Sequence, residues 1–216
     1  MTLPKACIFD LDGVIVDTVP AHFVAWKAMA DELSIPFNEI DNEQLKGVSR
    51  TESMKRILAM GGVSKTSEEI EDLTTRKNDI YVEIISKMTP DDILPGVVEF
   101  IDLLTSNGIQ IAIGSSSKNT PTILKAVNLL DRFKVRVDGN QVTHSKPHPE
   151  VFLLGADQLG FLPSECVVFE DAISGVRAAK RGGFKCIGVG EADVLSEADL
   201  IIPDLKNIDL TIFNKL

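Results

Sequence analysis

The stretch Phe9-Asp10-Leu11-Asp12-Gly13-Val14-Ile15-Val16-Asp17-Thr18 decides the fold, because an apolar run enters it and ends in two carboxylates. Residues 6–9 are apolar on both faces, a pattern typical of a parallel strand covered by helices on both sides. Asp10 then lies at the carboxyl end of that strand, the edge of an open parallel sheet where ligands bind. Gly13 permits a sharp turn directly after Asp12. The stretch therefore predicts a site in which both carboxylates approach one ligand.

The overall composition is ordinary for a soluble globular protein. The chain has 216 residues, of which 44% are hydrophobic and 25% are charged. This length accommodates one well-buried core with a smaller appended unit. No apolar run approaches the roughly 18 residues of a membrane span, and the N-terminus lacks the arrangement of a signal peptide. We therefore expect a cytoplasmic protein with no membrane partner.

The net charge and the cysteines narrow the possible partners and the expected compartment. The formal net charge of −10 argues against nucleic acid as a partner, because binding to a phosphate backbone needs a basic surface. Cys7, Cys166 and Cys186 lie in apolar, strand-like segments and lack metal-ligand spacing. We expect them to be buried free thiols, which suits a reducing compartment.

Helix signals follow the first strand. Thr18 can cap a helix that runs to about Leu33. Ser49-Arg50-Thr51-Glu52 and Thr66-Ser67-Glu68-Glu69 both have the form of a capping box. The second of these predicts a helix that extends to about Met88.

Two domains are predicted from this pattern. Residues 17–88 are helical in pattern and contain no convincing strand, so we interpret them as a helical cap domain. The remainder alternates between strand and helix, which is typical of a parallel α/β sheet. Residues 1–16 and 89–216 therefore form the predicted core domain, and the cap is inserted after its first strand.

A serine-rich loop and a lysine are candidates for binding an anion. The apolar run 109–113 predicts a strand, and Gly114-Ser115-Ser116-Ser117-Lys118-Asn119 follows it directly. Hydroxyls and a lysine between a strand end and a helix N-terminus can surround an anion with amides, donors and positive charge. Lys146 lies in Lys146-Pro147-His148-Pro149, just ahead of a predicted helix over 150–159.

A second carboxylate pair follows another apolar strand. Cys166-Val167-Val168-Phe169 predicts that strand, and Glu170-Asp171 follows it. If this pair meets Asp10 and Asp12 at one sheet edge, the carboxylates offer the hard oxygen ligands that Mg²⁺ prefers. Residues 185–189 and 199–202 predict two further strands, the last at a sheet edge.

The order of these motifs resembles the haloacid dehalogenase superfamily, in its phosphatase and phosphomutase branch. The string Asp10-Leu11-Asp12-Gly13-Val14-Ile15-x-Asp17-Thr18 is similar to the first motif, and Ser115, Lys146 and Glu170-Asp171 follow as the other three. The resemblance covers essentially the whole chain. It implies an α/β fold with a Rossmann-like parallel-sheet core, a helical cap domain inserted after the first strand, and an active site between the two.

The resemblance also implies the chemistry. Asp10 would attack phosphorus to form an aspartyl-phosphate, and Asp12 would act as general acid and base. An anionic nucleophile that must approach a phosphate needs a cation to neutralise charge, and Mg²⁺ is the implied cofactor. Its implied ligands are Asp10, the backbone carbonyl of Asp12, Glu170 and Asp171. Ser115, the amide of Ser116 and Lys146 are implied to hold the transferring phosphoryl group.

Within the superfamily the chain is most similar to the β-phosphoglucomutases, which interconvert β-glucose 1-phosphate and glucose 6-phosphate through β-glucose 1,6-bisphosphate. The similarity lies in segments 17–28, 45–53, 76–81 and 115–119, and it implies a small-molecule sugar phosphate as substrate. The residues that it implies for substrate and phosphate binding are Lys46, Gly47, Val48, Ser49, Arg50, Ser53, Lys77, Ser117, Lys118 and Asn119, with Thr18 and His22 assisting Asp12.

Three other functions fit parts of the pattern. A mutase must grip its bisphosphate intermediate at both ends, and Arg50 with Lys118 favours that reading over a sugar-phosphate phosphatase of the same fold. Inorganic pyrophosphate hydrolysis on this scaffold is the second alternative. A non-catalytic sugar-phosphate sensor is the third, but it requires a broken catalytic set, and the set is complete. We expect a monomer.

Overall fold

The computed structural model describes residues 3–46 and 48–216, and in them the chain forms a six-stranded parallel sheet. The strands are β1 (Ala6–Phe9), β2 (Gln110–Gly114), β3 (Val135–Val137), β4 (Cys166–Glu170), β5 (Lys185–Val189) and β6 (Leu200–Ile202). Their order is β3-β2-β1-β4-β5-β6, and every neighbouring pair is parallel. This confirms the predicted α/β fold with a Rossmann-like core.

The sheet topology places its ligand-binding point beside β1. The chain proceeds from β1 outward through β2 to β3 and then returns to the other side of β1 with β4, so the strand order reverses there. Phe9 is in register with Ile113 of β2 and with Phe169 of β4. Asp10 and Glu170 therefore lie side by side at the carboxyl edge of neighbouring strands.

Eight α-helices are present in the described residues. They are α1 (Val19–Glu32), α2 (Glu39–Glu43), α3 (Arg50–Met60), α4 (Ser67–Ile85), α5 (Val97–Ser106), α6 (Thr120–Ala126), α7 (Glu150–Leu159) and α8 (Ile173–Arg181). The first four follow β1 and precede β2, as the helical pattern predicted. The division at residues 16/17 and 88/89 stays a prediction.

Three apolar clusters hold these layers together. One face of the sheet buries Phe9 and Phe169, whose rings stack with centroids 4.8 Å apart. Ile8 and Phe152 lie in the cluster on the other face. A third cluster joins helices α1, α3 and α4 through side chains such as Trp26. The helical segment thus has apolar packing of its own, and α4 also contacts the sheet core through its last turns.

Several local predictions were wrong in detail. Thr18 precedes α1 but its side chain does not cap the helix, because its hydroxyl bonds Asp12 instead. Ser49 caps α3, yet the reciprocal bond from Glu52 does not form. The box at residues 66–69 forms in both directions. The helix that it opens ends at Ile85, three residues before the predicted end.

The structure also bears on the predicted state of the cysteines and on the absence of a predicted membrane span. Cys7, Cys166 and Cys186 are buried free thiols, as the sequence predicted. In the described part of the chain, no helix combines the length and the apolar character needed to cross a membrane.

Candidate active site

A buried ion-pair cluster occupies the carboxyl edge of the two central strands. Lys146 Nζ lies 2.5 Å from Asp10 Oδ1 and 2.7 Å from Glu170 Oε1, and all three side chains are buried. Burial alone would lower the pKa of Lys146, but the negative charges of Asp10 and Glu170 outweigh it and raise the pKa above its usual value. Lys146 is therefore a permanent cation beside the Asp10 carboxylate.

Asp12 lies in an environment that raises the pKa of its carboxyl group above the usual value. The Thr18 hydroxyl donates to Asp12 Oδ1, and the Tyr81 hydroxyl lies 3.4 Å from the same oxygen. Burial and the nearby charge of Asp10 raise the pKa of Asp12 from 3.8 to about 6, against the opposing effect of the Thr18 bond. A carboxyl group with this pKa can both give and take a proton near neutral pH.

His22, which is partly buried, pairs with the buried Lys77 on the helical side of Asp12. Lys77 Nζ lies 3.0 Å from His22 Nδ1, and His22 Nε2 lies 4.0 Å from Asp12 Oδ1. Burial, with the charges of Lys77 and Arg50, holds the pKa of His22 well below its usual value, so the imidazole is neutral. A protonated Lys77 can only donate, so with Lys77 charged the ring proton of His22 is on Nε2, the nitrogen nearer Asp12.

Lys77 itself is held over two aromatic rings. Its Nζ lies 4.4 Å from the ring centroids of both Trp26 and Tyr81, which are favourable cation–π positions. Burial and the positive charge of Arg50 nevertheless lower the pKa of Lys77 to about 7. His22 and Trp26, four residues apart on α1, thus both line the site.

The second carboxylate pair is packed so closely that two glycines are required beside it. A Cβ on Gly175 would lie 1.6 Å from Glu170 Oε1, and one on Gly13 would lie 2.1 Å from Asp171 Oδ2. Glu170 Oε2 accepts a 2.6 Å bond from the Ala172 amide. Burial and the charges of Glu170 and Asp10 raise the pKa of Asp171 well above its usual value. This cluster carries more negative charge than Lys146 alone balances.

The loop after β2 forms the wall opposite these carboxylates. Ser115 is fully buried, and its Oγ accepts a 3.0 Å bond from the Ser117 amide. Ser117 Oγ in turn accepts from the Asn119 amide at 3.2 Å. These bonds fold residues 115–119 into a compact turn that leads into α6. The predicted anion-binding loop therefore lies directly against the carboxyl edge of the sheet.

Arg50 and Asn119 meet at one oxygen. Arg50 Nη2 donates to Asn78 Oδ1 at 2.6 Å, and Asn119 Nδ2 donates to the same atom at 2.9 Å. The three side chains come from α3, α4 and the loop after β2. A helical arginine is thus held next to the serine-rich loop, although the two are far apart in sequence.

Lys46 makes a second contact between the helical segment and the sheet. Its Nζ lies 2.8 Å from Glu43 Oε2 and 3.6 Å from Asp171 Oδ2, and its backbone carbonyl accepts a 3.4 Å bond from the Ser174 hydroxyl. Lys46 thereby adds positive charge on the side of the carboxylate cluster that faces the helices.

A cavity of about 610 Å³ joins these groups. Its lining includes nearly all of the residues predicted for the site: Asp10, Asp12, Thr18, His22, Lys46, Val48, Ser49, Arg50, Ser53, Lys77, Ser115, Ser116, Ser117, Lys118, Asn119, Glu170 and Asp171. Lys146 bonds Asp10 but does not itself line the cavity. Gly47 was also predicted and lies outside the described residues.

Sequence reasoning missed two residues that the cavity contains. Asn78 is the shared acceptor for Arg50 and Asn119, and Tyr81 contacts both Asp12 and His22. Both belong to segment 76–81, which was used for its similarity but of which only Lys77 was assigned a role. For Tyr81 the available signal was its helical spacing, since it lies four residues after Lys77 and so shares a helix face with it. Asn78 is adjacent to Lys77 in sequence and carried no such signal.

Comparison with known proteins adds to this geometry. The family model described as haloacid dehalogenase-like hydrolase matches residues 4–183. The chain is 41% identical to a β-phosphoglucomutase of Bacillus subtilis over 213 residues, which cover 98% of this chain and 94% of that protein. It is also 31% identical over 185 residues to a phosphorylated carbohydrates phosphatase of Thermotoga maritima, covering 85% of this chain and 83% of that protein.

A solved structure agrees with the sequence comparison. The crystal structure of a β-phosphoglucomutase from Clostridium difficile matches with a TM-score of 0.94 at 36% identity. The match covers 99% of this chain and 96% of that one. Both mutases and phosphatases are therefore among the similar proteins.

Proposed function

The chain belongs to the haloacid dehalogenase-like hydrolase family, and from that premise we propose that it interconverts β-glucose 1-phosphate and glucose 6-phosphate through β-glucose 1,6-bisphosphate. This is the reaction of the β-phosphoglucomutases to which it is similar. We propose further that it acts with Mg²⁺ as a cytoplasmic monomer on small-molecule sugar phosphates.

The carboxylate cluster fits a magnesium ion in its chemistry. Asp10, Glu170 and Asp171 offer oxygen ligands, and the raised pKa values of Glu170 and Asp171 reflect burial together with mutual repulsion that a divalent cation would relieve. Residues that would hold the ion are these three and the carbonyl of Asp12. Bound there, Mg²⁺ supplies charge neutralisation between the nucleophile and the phosphate.

The carboxylate oxygens at the sheet edge are spaced more widely than ligand atoms that surround one ion. In the described residues, three possible ligand atoms lie within 4.8 Å of one another at another place, in residues 144–150. At the sheet edge, Lys146 Nζ lies between Asp10 Oδ1 and Glu170 Oε1 and bonds both. The fit therefore rests on the donor set and its excess negative charge.

Asp10 is the proposed nucleophile. Its carboxylate lies at the end of a buried strand, and Lys146 bonds its Oδ1. In the first half-reaction a carboxylate oxygen of Asp10 forms a bond to phosphorus, and the bond between phosphorus and the sugar oxygen breaks. The leaving oxygen takes a proton from Asp12. In the second half-reaction Asp12 removes a proton from the accepting hydroxyl, which attacks the aspartyl-phosphate and regenerates Asp10.

The surroundings of Asp12 suit a residue that gives a proton in one half-reaction and takes one in the other. Its pKa of about 6 leaves both protonation states accessible near neutral pH. The hydroxyls of Thr18 and Tyr81 donate to this carboxylate and so stabilise and orient its ionised form. His22 Nε2 lies 4.0 Å from the same oxygen, and Lys77 contacts His22 from the other side.

One observation carries the choice of a mutase: Arg50 and Asn119 are joined through Asn78 at the wall of the same cavity that contains Asp10. A bisphosphate has a second phosphate that must be held while the first reacts, and a guanidinium with an amide donor and the nearby Lys118 can hold it. A phosphatase needs no second grip, since water completes its reaction.

The alternative is a sugar-phosphate phosphatase with the same catalytic residues. The phosphatase of Thermotoga maritima that resembles this chain supports it, at lower identity and coverage than the mutase of Bacillus subtilis. The two functions differ in whether a sugar hydroxyl or water accepts the phosphoryl group from Asp10.

A product assay tests the proposal. Protein is mixed with Mg²⁺, β-glucose 1-phosphate and a catalytic amount of β-glucose 1,6-bisphosphate, and glucose 6-phosphate and inorganic phosphate are measured in parallel. The proposal predicts that glucose 6-phosphate forms much faster. Faster release of inorganic phosphate would establish the phosphatase instead.

A further inference from the structure

Two histidines of the loop that precedes α7 form a cluster with Glu150, the first residue of that helix, outside the cavity described above. His144 Nδ1 lies 3.0 Å from Glu150 Oε2, and His148 Nδ1 lies 3.8 Å from the same oxygen. The imidazole rings lie against each other, with centroids 4.6 Å apart. One ligand atom from each residue lies within 4.8 Å of the other two.

We propose that His144, His148 and Glu150 bind a borderline divalent transition-metal ion of the Zn²⁺ class. Imidazole nitrogens select Zn²⁺ and similar ions, whereas Mg²⁺ prefers an all-oxygen set such as that at the sheet edge. Two histidines with one glutamate, plus water in the fourth position, form a recognised tetrahedral donor set for zinc. The site differs from the proposed magnesium site in position and in ligand chemistry.

The separations suit such an ion. Ligand atoms about 2.0–2.1 Å from a tetrahedral zinc ion are roughly 3.3 Å from one another. The two measured separations from Glu150 Oε2, 3.0 and 3.8 Å, lie on either side of that value. The side chains of His144 and His148 are 63% and 50% exposed, so an ion can reach both rings from solvent.

The backbone prearranges the glutamate. Glu150 Oε1 accepts from the Thr143 amide at 2.9 Å, and Oε2 accepts from the His144 amide at 2.8 Å. These bonds hold the carboxylate beside the loop, with Oε2 within 3.8 Å of Nδ1 of both histidines. Hydrogen bonds of this kind to a ligating carboxylate orient it and strengthen metal binding.

An ion bound to this cluster would stabilise the chain around Lys146, because of where the cluster lies. His144 and His148 each lie two residues from Lys146, whose ammonium group contacts Asp10 and Glu170. An ion bound to both histidines would tie the chain on the two sides of Lys146. Binding should therefore raise the thermal stability of the protein.

Calorimetric titration with Zn²⁺ in saturating Mg²⁺ tests the site, because the excess Mg²⁺ occupies the carboxylates at the sheet edge. We expect one saturable Zn²⁺ site in the wild-type protein and a higher melting temperature with Zn²⁺ present. His144→Asn and His148→Asn should each weaken binding at least about tenfold, since even loss of an outer-shell partner costs about that much. The matched control is His22→Asn, which removes the third histidine of the chain and should bind Zn²⁺ as the wild type does.

Nuclear magnetic resonance of the imidazole nitrogens keeps the test decisive if a variant folds poorly. Of the three histidines, Zn²⁺ should shift the signals of His144 and His148 and leave those of His22 unchanged. Absence of saturable binding in the wild type, or equal binding in both His144→Asn and His148→Asn, would overturn the proposal.

Discussion

Asn119 donates a 2.9 Å hydrogen bond from its side-chain amide to Oδ1 of Asn78, and this bond joins the loop after β2 to helix α4. Arg50 donates to the same oxygen from α3 at 2.6 Å. One side-chain carbonyl thus positions both donors proposed to hold the phosphate that is not reacting. Asn78 itself is a positioning residue, because its carbonyl acts through Arg50 and Asn119.

Replacing Asn78 tests that role. Asn78→Ala leaves two part-buried donors without their shared acceptor, which costs on the order of 1–3 kcal/mol. We expect the KM for β-glucose 1-phosphate to rise several-fold or more, while phosphorylation of Asp10 by a donor with no second phosphate, such as acetyl phosphate, measured in a single turnover, changes less. Glu83→Ala on the same helix alters an exposed residue paired only with Lys87 and is the matched control. Equal losses in both steps would assign Asn78 a merely structural role.

Arg50→Ala should change where the phosphoryl group goes. If Arg50 grips the second phosphate in a charge-assisted contact, its loss costs about 1.5–3 kcal/mol, or roughly ten- to a hundredfold, in holding the bisphosphate. Formation of glucose 6-phosphate should fall by that factor, and release of inorganic phosphate should stay the same or rise. Parallel product measurement checks this, with Arg56→Ala, an exposed arginine of the same helix, as control. Proportional loss of both products would contradict the assigned role.

The two aspartates should fail in different ways. Asp10→Asn removes the anionic nucleophile and should abolish turnover and phosphoenzyme formation, with the circular dichroism spectrum unchanged. Asp12→Asn should lower kcat by about 10²–10⁴, the usual contribution of a general acid or base. It should still bind Mg²⁺ in a calorimetric titration, because the backbone carbonyl remains. Near-wild-type turnover by Asp10→Asn would exclude it as the nucleophile.

Lys77 predicts a dependence of stability on pH. Its pKa is about 7 in the folded protein and about 10.5 as an ordinary lysine. Between these values the unfolded chain binds more protons than the folded protein, so the free energy of unfolding rises with pH. The destabilisation caused by burying the charged Lys77 is fully present below about pH 7. Lys77→Met should therefore stabilise the protein relative to wild type, and that advantage should shrink by at least about 1 kcal/mol between about pH 7 and pH 9, since one pKa unit corresponds to about 1.4 kcal/mol.

Urea denaturation at several pH values measures this difference. Lys55→Met replaces an exposed lysine of α3 and is the control, whose unfolding free energy should follow the wild type across the range. A Lys77→Met difference that is constant with pH would show that Lys77 is charged throughout.

The sheet could be predicted because buried parallel strands have a continuous apolar sequence. Residues 6–9 and 166–169 each carry that pattern and end in carboxylates, and parallel register brings their ends together. β3 was missed, since Arg136 interrupts the apolar run that identified the equally short edge strand β6. The alternation of Val135, Arg136 and Val137 indicates it only once the sheet is known.

The hydrogen-bond partners of side chains at the site could not be predicted from the sequence, because they depend on the tertiary fold. Thr18 has a residue type that caps helices, yet the Asp12 carboxylate competes for its hydroxyl and wins it. No local pattern identifies such a competitor. Asn78 bonds a residue 28 positions earlier and another 41 positions later, so its role follows only from the packing of α3, α4 and the loop after β2.

The partition of the phosphoenzyme between sugar and water tests the central claim most directly. Wild-type protein is phosphorylated with radiolabelled β-glucose 1,6-bisphosphate in the presence of Mg²⁺ and then mixed with unlabelled glucose 6-phosphate. The label is counted in the bisphosphate and in inorganic phosphate. Transfer to a sugar held by Arg50 and Asn119 predicts that most of the label returns to bisphosphate, whereas recovery of most of it as inorganic phosphate would contradict the assignment of a mutase.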